Sequence, residues 1–410
     1  HSFSKIINER LGSYIYDLIN IATEDNLIDF INGRSFRALN FTIPYKETVI
    51  PCLDRLDEKA AAIGAVNTVI NVNGTLIGYN TDYDGFAYTL DANGIDVCGK
   101  KILLLGAGGS SKAVRAVLQD RNAGSIVITG RSARGNIITN ETAARFHSDA
   151  DIIINTTPVG LYPAIDETPV SGADFPYCKA LVDIIYNPLK TKLMIEAEQA
   201  GIHTAGGLEM LVMQAVKASG LFTGDIIQEQ AAQEITTSLQ SSKKNIALIG
   251  MPSSGKSTVG KLLEAKTGRK FIDTDDLVIA IEGRSVREMW DAEGEAYFRK
   301  LEHMMVQQVS LLEGHIIATG GGVIKDKRNI DFLRHNCEIV FLDRPLEAIA
   351  SCDVSRPLNS SAEAVTKMYH ERYGLYCEYA DIRVDNSGSI EDTVGTIIEL
   401  FTENQQGAKK

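Results

Sequence analysis

The chain has 410 residues, enough for two or three domains, and 44% hydrophobic content supports proper cores. A net charge of −12 argues against a nucleic-acid protein, because binding a phosphate backbone needs basic surface. Six scattered cysteines without a C-x-x-C pair point to a reduced, cytoplasmic chain with neither zinc nor disulfides; no signal peptide is expected, and the sequence has no membrane-length apolar run.

Ser2 and Ser4 flank Phe3 ahead of a helical pattern over Ile6–Ala22; two serines at that spacing read as helix caps. Over Leu39–Lys46, alternation puts Asn40, Thr42 and Lys46 on one face and Phe41 and Ile43 on the other, which suits a wet sheet surface or a cleft wall equally. Glu58–Ala62 reads as the end of a helix. Asn73-Gly74, between Val69–Val72 and Thr75–Gly78, signals a hairpin whose second arm ends in Asn80-Thr81-Asp82. Lys101–Leu105 is a buried-strand pattern, followed by Gly106-Ala107-Gly108-Gly109-Ser110-Ser111 and a helix over Lys112–Leu118. This is close to the dinucleotide fingerprint, with Ser111 in the place of the third glycine. The next strand, Ile126–Thr129, ends in Gly130-Arg131-Ser132 with Arg134 nearby. An acid for a ribose 2′-hydroxyl is absent and arginines are present, which favours NADP; two solvated arginines are the alternative. The segment from Arg131 to Asp151 is short for a further strand and helix. Strands over Asp151–Asn155 and Ala180–Ile185 lead into loops, and Gly206-Gly207 opens a helix with Met210 and Gln214 on one face.

In order and combination these pieces resemble the shikimate dehydrogenase family over about residues 1–235. The resemblance implies an α/β substrate domain over 1–88 and a Rossmann-type NADP domain over 89–207, with helices at about 208–238 packing back on the first. It implies that Ser2 and Ser4 hold the substrate carboxylate and that Thr42, Asn67, Tyr186 and Gln214 line the substrate pocket. Lys46 and Asp82 match the catalytic pair, and Glu58, Ile184 and Gly207 lie with the glycine loop, Arg131, Ser132 and Arg134 on the cofactor side. Chemistry agrees: hydride reduction of a ketone leaves an alkoxide that needs a proton, and a lysine beside a carboxylate supplies one. A surface salt bridge is the plain alternative for that pair. The family's opening strand would lie before His1, and Lys5 stands where the family has proline.

Asp225–Leu239 reads as a helix and residues 239–244 as a polar linker. Beyond it an apolar strand, Ile246–Ile249, runs into Gly250-Met251-Pro252-Ser253-Ser254-Gly255-Lys256-Ser257 and a helix from Thr258. This fits G-x-x-x-x-G-K-[ST], whose backbone N–H groups wrap phosphate while Lys256 reaches the terminal phosphates and Ser257 holds Mg²⁺. Lys270–Asp276 is a strand ending in acids, placed for Mg²⁺ and a hydroxyl acceptor or as an N-cap cluster. Arg299 follows a helical run, and Gly320-Gly321-Gly322 ends the strand Ile316–Thr319, suggesting close backbone approach to a ligand. Arg356 and Arg372 bound a polar stretch suited to a lid.

This half, 245–404, resembles shikimate kinase, an α/β phosphate-loop fold with a parallel sheet. The resemblance implies that Ser253, Ser254, Gly255, Lys256, Ser257, Thr258 and Arg356 bind ATP, and that Ser257 and Asp273 organise Mg²⁺. Asp275 would meet the accepting hydroxyls, while Arg299, Arg372 and the three glycines hold the acid. The lid is short, and Ile349-Ala350-Ser351-Cys352 replaces the family's adenine-stacking arginine. The whole reads as a fusion performing two consecutive steps on one ring acid with NADP(H), ATP and Mg²⁺, its partners small molecules rather than nucleic acid or membrane. A chain with only the kinase half active, or a silent sensor of shikimate or quinate, are the alternatives.

Overall fold

Three sheets account for the strand patterns. The computed structural model describes residues 3–350 and 362–407, so Ser2 and Arg356 lie outside the described residues. The chain divides into two units, His1–Asn187 with Thr191–Ser238, and Pro188–Lys190 with Leu239–Lys410.

In the first unit β1 (Ala38–Asn40), β2 (Arg55–Leu56), β3 (Thr68–Val72) and β4 (Thr75–Tyr79) form a sheet in the order β1-β3-β4-β2. β3 and β4 are the antiparallel hairpin, and Asn71 Oδ1 accepts from Gly74 N at 2.8 Å across its turn. Val69 and Leu76 bury one face of this sheet against Leu27, Ile31, Val49 and Val66. The second sheet contains β5 (Lys101–Leu105), β6 (Ser125–Gly130), β7 (Ile137–Thr139), β8 (Ile152–Asn155), β9 (Ala180–Asp183) and β10 (His203–Ala205). It is parallel throughout, in the order β10-β9-β8-β5-β6-β7. Its strands are apolar at successive positions because both faces are covered. Ile102 and Leu104 enter one core with Ile154 and Val182, while Leu103 and Leu105 enter the other with Ile153 and Leu181. Strand order reverses between β5 and β8, and the glycine loop leaves β5 at that crevice, where open α/β sheets bind ligands.

The second unit has one parallel sheet of β11 (Asn245–Ile249), β12 (Phe271–Asp273), β13 (Ile316–Ala318), β14 (Cys337–Asp343) and β15 (Ile382–Asp385), ordered β12-β13-β11-β14-β15. β11 is central and buried along its whole length; Ile246 and Leu248 pack on one side, Ala247 and Ile249 on the other. Among the described residues, no helix is long and apolar enough to cross a membrane.

Four expectations are corrected. The first helix spans Ser4–Leu11 and does not continue to Ala22: Gly12 is extended, and Tyr14 turns back so that its hydroxyl bonds Asn8 Oδ1 and Ser219 Oγ, each at 2.9 Å. The alternation over Leu39–Lys46 is not one strand. β1 stops at Asn40, and Lys46 rides on a turn whose bonds include Tyr45 N to Thr42 O, while Lys46 O accepts from Val66 N at 2.8 Å. The short segment after Arg131 still holds both β7 and a helix, Asn140–Phe146, because each is cut to a minimum. The polar run 239–244 is largely helical: Glu229–Lys243 is one helix, with β11 starting at Asn245. Ala232, Ile235 and Leu239 form its buried stripe, so the serines, glutamine and lysines near its end are its polar face.

Candidate active sites

In the first unit Lys46 and Asp82 stand 36 residues apart in sequence, and Nζ lies 2.5 Å from Oδ2. Both are buried, at 8% and 6% exposure, so solvent does not screen this pair as it would one on the surface. Asp82 begins the helix Asp82–Ala92 directly after β4, where a carboxylate suits the positive helix end. Its other oxygen accepts from Asn67 Nδ2 at 2.9 Å, while Asn67 Oδ1 accepts from Thr81 N at 2.8 Å, fixing the amide's orientation. Gln214 Oε1, from the helix Leu208–Thr223, comes within 3.5 Å of both Asn67 Nδ2 and Thr81 Oγ1. The lysine turn, the bend leading into β3 and two helices thus bring Lys46, Asn67, Asp82 and Gln214 together. Ser4 begins the first helix and Thr42 is exposed beside the lysine turn. Tyr186 packs on Phe3, ring centroids 5.4 Å apart, and burial raises its hydroxyl pKa.

On the sheet's loop edge Gly106 has φ +105°, a backbone that L side chains rarely adopt, and a Cβ there would crowd Thr156 Oγ1 at 2.7 Å. Ala107 and Gly108 are exposed, and the space beside Gly108 is open. The helix Gly109–Asp120 starts there, so a concave turn and a helix N-terminus fit an anionic dinucleotide backbone. Gly207 N donates to Ile185 O at 3.0 Å, and a Cβ on Gly207 would collide with the Ile184 backbone, which holds that strand end close. Arg131, Ser132 and Arg134 lie exposed in the loop after β6, and Glu58 is exposed at the start of its helix.

Asp183 stands outside every motif of the sequence. It is fully buried at the end of β9 and accepts from Asn155 Nδ2 to both oxygens at 3.1 Å, Thr191 Oγ1 at 2.7 Å and Ile185 N at 3.0 Å. Burial pushes its pKa up to about 6. An acid closing an otherwise apolar strand was the available signal.

In the second unit the phosphate loop runs from β11 into the helix Lys256–Thr267. Lys256 is buried, and its ammonium donates to Gly250 O and Met251 O, each at 2.9 Å. Ser254 Oγ is buried with no hydrogen-bond partner among the described residues, and Ser254 O accepts from Asn386 Nδ2 at 2.6 Å. Ser253 and Gly255 have positive φ, and Thr258 is exposed on the first helical turn. Ser257 Oγ donates to Asp273 Oδ2 at 2.7 Å, placing a hydroxyl and a carboxylate together, the hard-oxygen set that Mg²⁺ takes alongside nucleotide phosphate. Asp273 also caps the next helix, Oδ1 accepting from Asp275 N at 3.0 Å.

Each member of the triple glycine makes room for a neighbour. A Cβ on Gly320 would collide with Glu302 and crowd Asp275, one on Gly321 would crowd Pro252, and one on Gly322 would collide with the Arg299 guanidinium. Gly321 O accepts from Arg372 Nη1 at 2.9 Å and Tyr376 Oη at 2.5 Å. Arg299, Arg372, Asp275 and the glycines therefore surround one region. Arg299 lies between Glu302, 2.8 Å from Nη1, and Glu295, 3.1 Å from Nε. Burial works against its charge, but the two carboxylates outweigh it and its pKa is raised. Burial also raises the pKa of Glu302, which is 1% exposed. Glu302 is another residue the sequence reading missed; its i, i+3 spacing from Arg299 was the clue.

Residues 2–69 match the family model for the shikimate dehydrogenase substrate binding domain, and residues 252–402 that for shikimate kinase. A shikimate dehydrogenase (NADP(+)) from Clostridium beijerinckii is 37% identical over 236 residues, 54% of this chain and 87% of that protein. One from Moorella thermoacetica is 38% identical over 212 residues, 47% of this chain and 72% of its own. A chorismate mutase/shikimate 5-dehydrogenase fusion protein from Clostridium acetobutylicum superposes with a TM-score of 0.55 at 31% identity, covering 58% of this chain and 93% of that one. A shikimate dehydrogenase solved in complex with NADP+ gives 0.51 at 30% identity, covering 58% and 91%.

Proposed function

The chain belongs to the shikimate dehydrogenase family through its first unit and carries a shikimate kinase domain in its second, and from that premise we propose that it catalyses two consecutive steps. The first is NADPH-dependent reduction of 3-dehydroshikimate to shikimate. The second is transfer of the ATP γ-phosphoryl group to the shikimate 3-hydroxyl.

The buried Lys46–Asp82 pair beside the glycine loop carries the first half of this reading. NADPH, when bound, supplies the hydride to the ketone carbon. The Lys46 ammonium gives a proton to the oxygen as charge builds there. Asp82, held by Asn67, keeps the ammonium in place and accepts from a substrate hydroxyl. In the second unit Arg299 and Arg372 take the ring carboxylate, and Asp275 accepts the proton of the attacking hydroxyl. Lys256 and the loop N–H groups balance charge on the transferred phosphoryl group. Ser257 and Asp273 would hold Mg²⁺, which neutralises phosphate charge.

Incubating the chain with 3-dehydroshikimate, NADPH and MgATP tests the reading. NADPH absorbance should fall, and shikimate 3-phosphate should accumulate with one ADP per product. Shikimate accumulating without its phosphate would remove the kinase half, and unchanged NADPH would remove the reductase half.

A further inference from the structure

The glycine loop does more than cradle an anion. Ser110, in the first turn of the helix Gly109–Asp120, places its Oγ 3.1 Å from Lys46 Nζ, on the same ammonium that Asp82 holds at 2.5 Å. All three residues are buried, Ser110 at 9% exposure. The contact belongs to a built interface. Lys112, one residue past Ser111, reaches Glu47 Oε2 at 2.6 Å and Gly64 O at 3.3 Å, and Ala113 packs with Ile63 and Ala65. A Cβ on Gly109 would lie 3.3 Å from Lys46 Cβ, so the lysine stem runs along the loop backbone. The turn bearing the proton donor thus rests on the helix start that is shaped for the cofactor.

An ammonium has three N–H donors. One acceptor holds one N–H; a second, on another N–H, holds the ammonium against displacement as well as rotation and leaves the third N–H for the reacting oxygen. We propose that Ser110 is a positioning residue for the reduction: with Asp82 it fixes which Lys46 N–H faces the reacting oxygen and ties that donor to the cofactor loop. The inference rests on the dehydrogenase reading of the first unit. Proton delivery is sensitive to sub-ångström placement. A hydrogen bond to a charged group contributes enough that losing it slows the step about tenfold or more.

The test uses the full chain with Ser110→Ala and Ser110→Thr. Alanine favours helix, and NADPH binding by the same preparation reports that the first unit keeps its fold. In Ser110→Ala, kcat for 3-dehydroshikimate reduction should fall about tenfold while the NADPH Kd, read from NADPH fluorescence, stays within about twofold. The isotope effect on kcat with NADPH deuterated at the transferred position should rise, because chemistry becomes rate-limiting, and Ser110→Thr should recover rate. An unchanged kcat, or a loss confined to NADPH affinity, would overturn the proposal and leave Ser110 a cofactor contact alone. A parent chain that oxidises no NADPH would instead overturn the dehydrogenase reading and the proposal with it.

Discussion

Replacing Asp183 by Asn removes a carboxylate that is wholly buried at the end of β9. Burial lifts its pKa from 3.8 to about 6, against the bonds from Ile185 N, Thr191 and Asn155 that pull it down. The folded chain therefore holds this proton more tightly than the unfolded chain. Stability falls as pH rises from about 4 to about 6 and is level above that, because over this window the native state binds more protons. The gap corresponds to about 3 kcal/mol. Asparagine keeps the shape without the charge and so escapes that loss. Its NH₂ group meets donors where the carboxylate accepted, which costs about 1–2 kcal/mol. At neutral pH this leaves the variant about 1–2 kcal/mol the more stable. The stability difference between variant and parent should shift by about 3 kcal/mol in the variant's favour between about pH 4 and pH 7. Hydrogen exchange of the Ala180–Asp183 segment, compared in both chains at each pH, reads this directly because intrinsic rates cancel. A difference that stays constant across the range would refute the titration of Asp183 there.

Four further substitutions probe the two units separately. Lys46→Ala should lower 3-dehydroshikimate reduction by at least about a hundredfold and leave phosphorylation intact, and Lys256→Ala should do the reverse; loss of both activities in either variant would show that the units do not work independently. Glu302→Ala strands Arg299 without its buried partner and should destabilise the second unit by about 3 kcal/mol. Urea unfolding followed by the fluorescence of Trp290, the chain's single tryptophan, reads this, since that ring lies 5.8 Å from the Arg299 guanidinium. Gly322→Ala puts a methyl group into the Arg299 guanidinium and should raise the kinase KM for shikimate about tenfold or more, with the dehydrogenase KM unchanged in parallel assays.

The parallel sheets were legible because β5, β8 and β11 are apolar at successive positions and a glycine turn follows β5 and β11. Periodicity misled where tertiary contacts decide the backbone. Asn40 to Lys46 alternates like a strand, yet Val66 N captures the Lys46 carbonyl and the segment turns. The polar residues near Lys243 have a linker's composition, but three buried side chains upstream hold them in helix. The roles of Lys46 and Asp82 came from resemblance, since nothing local in sequence links residues 36 positions apart. The Lys46–Ser110 and Asn155–Asp183 contacts were not legible, because each joins elements that meet only after folding. Glu302 was within reach, one helical turn from Arg299.

Two pockets for one ring acid are the core of this account, and binding stoichiometry tests it most directly. Shikimate titrated calorimetrically into the full chain with NADPH and MgADP present cannot turn over at either site. Two shikimate molecules should bind per chain, falling to one when Arg299 is replaced by Ala. A single site in the parent chain, or none, would contradict it.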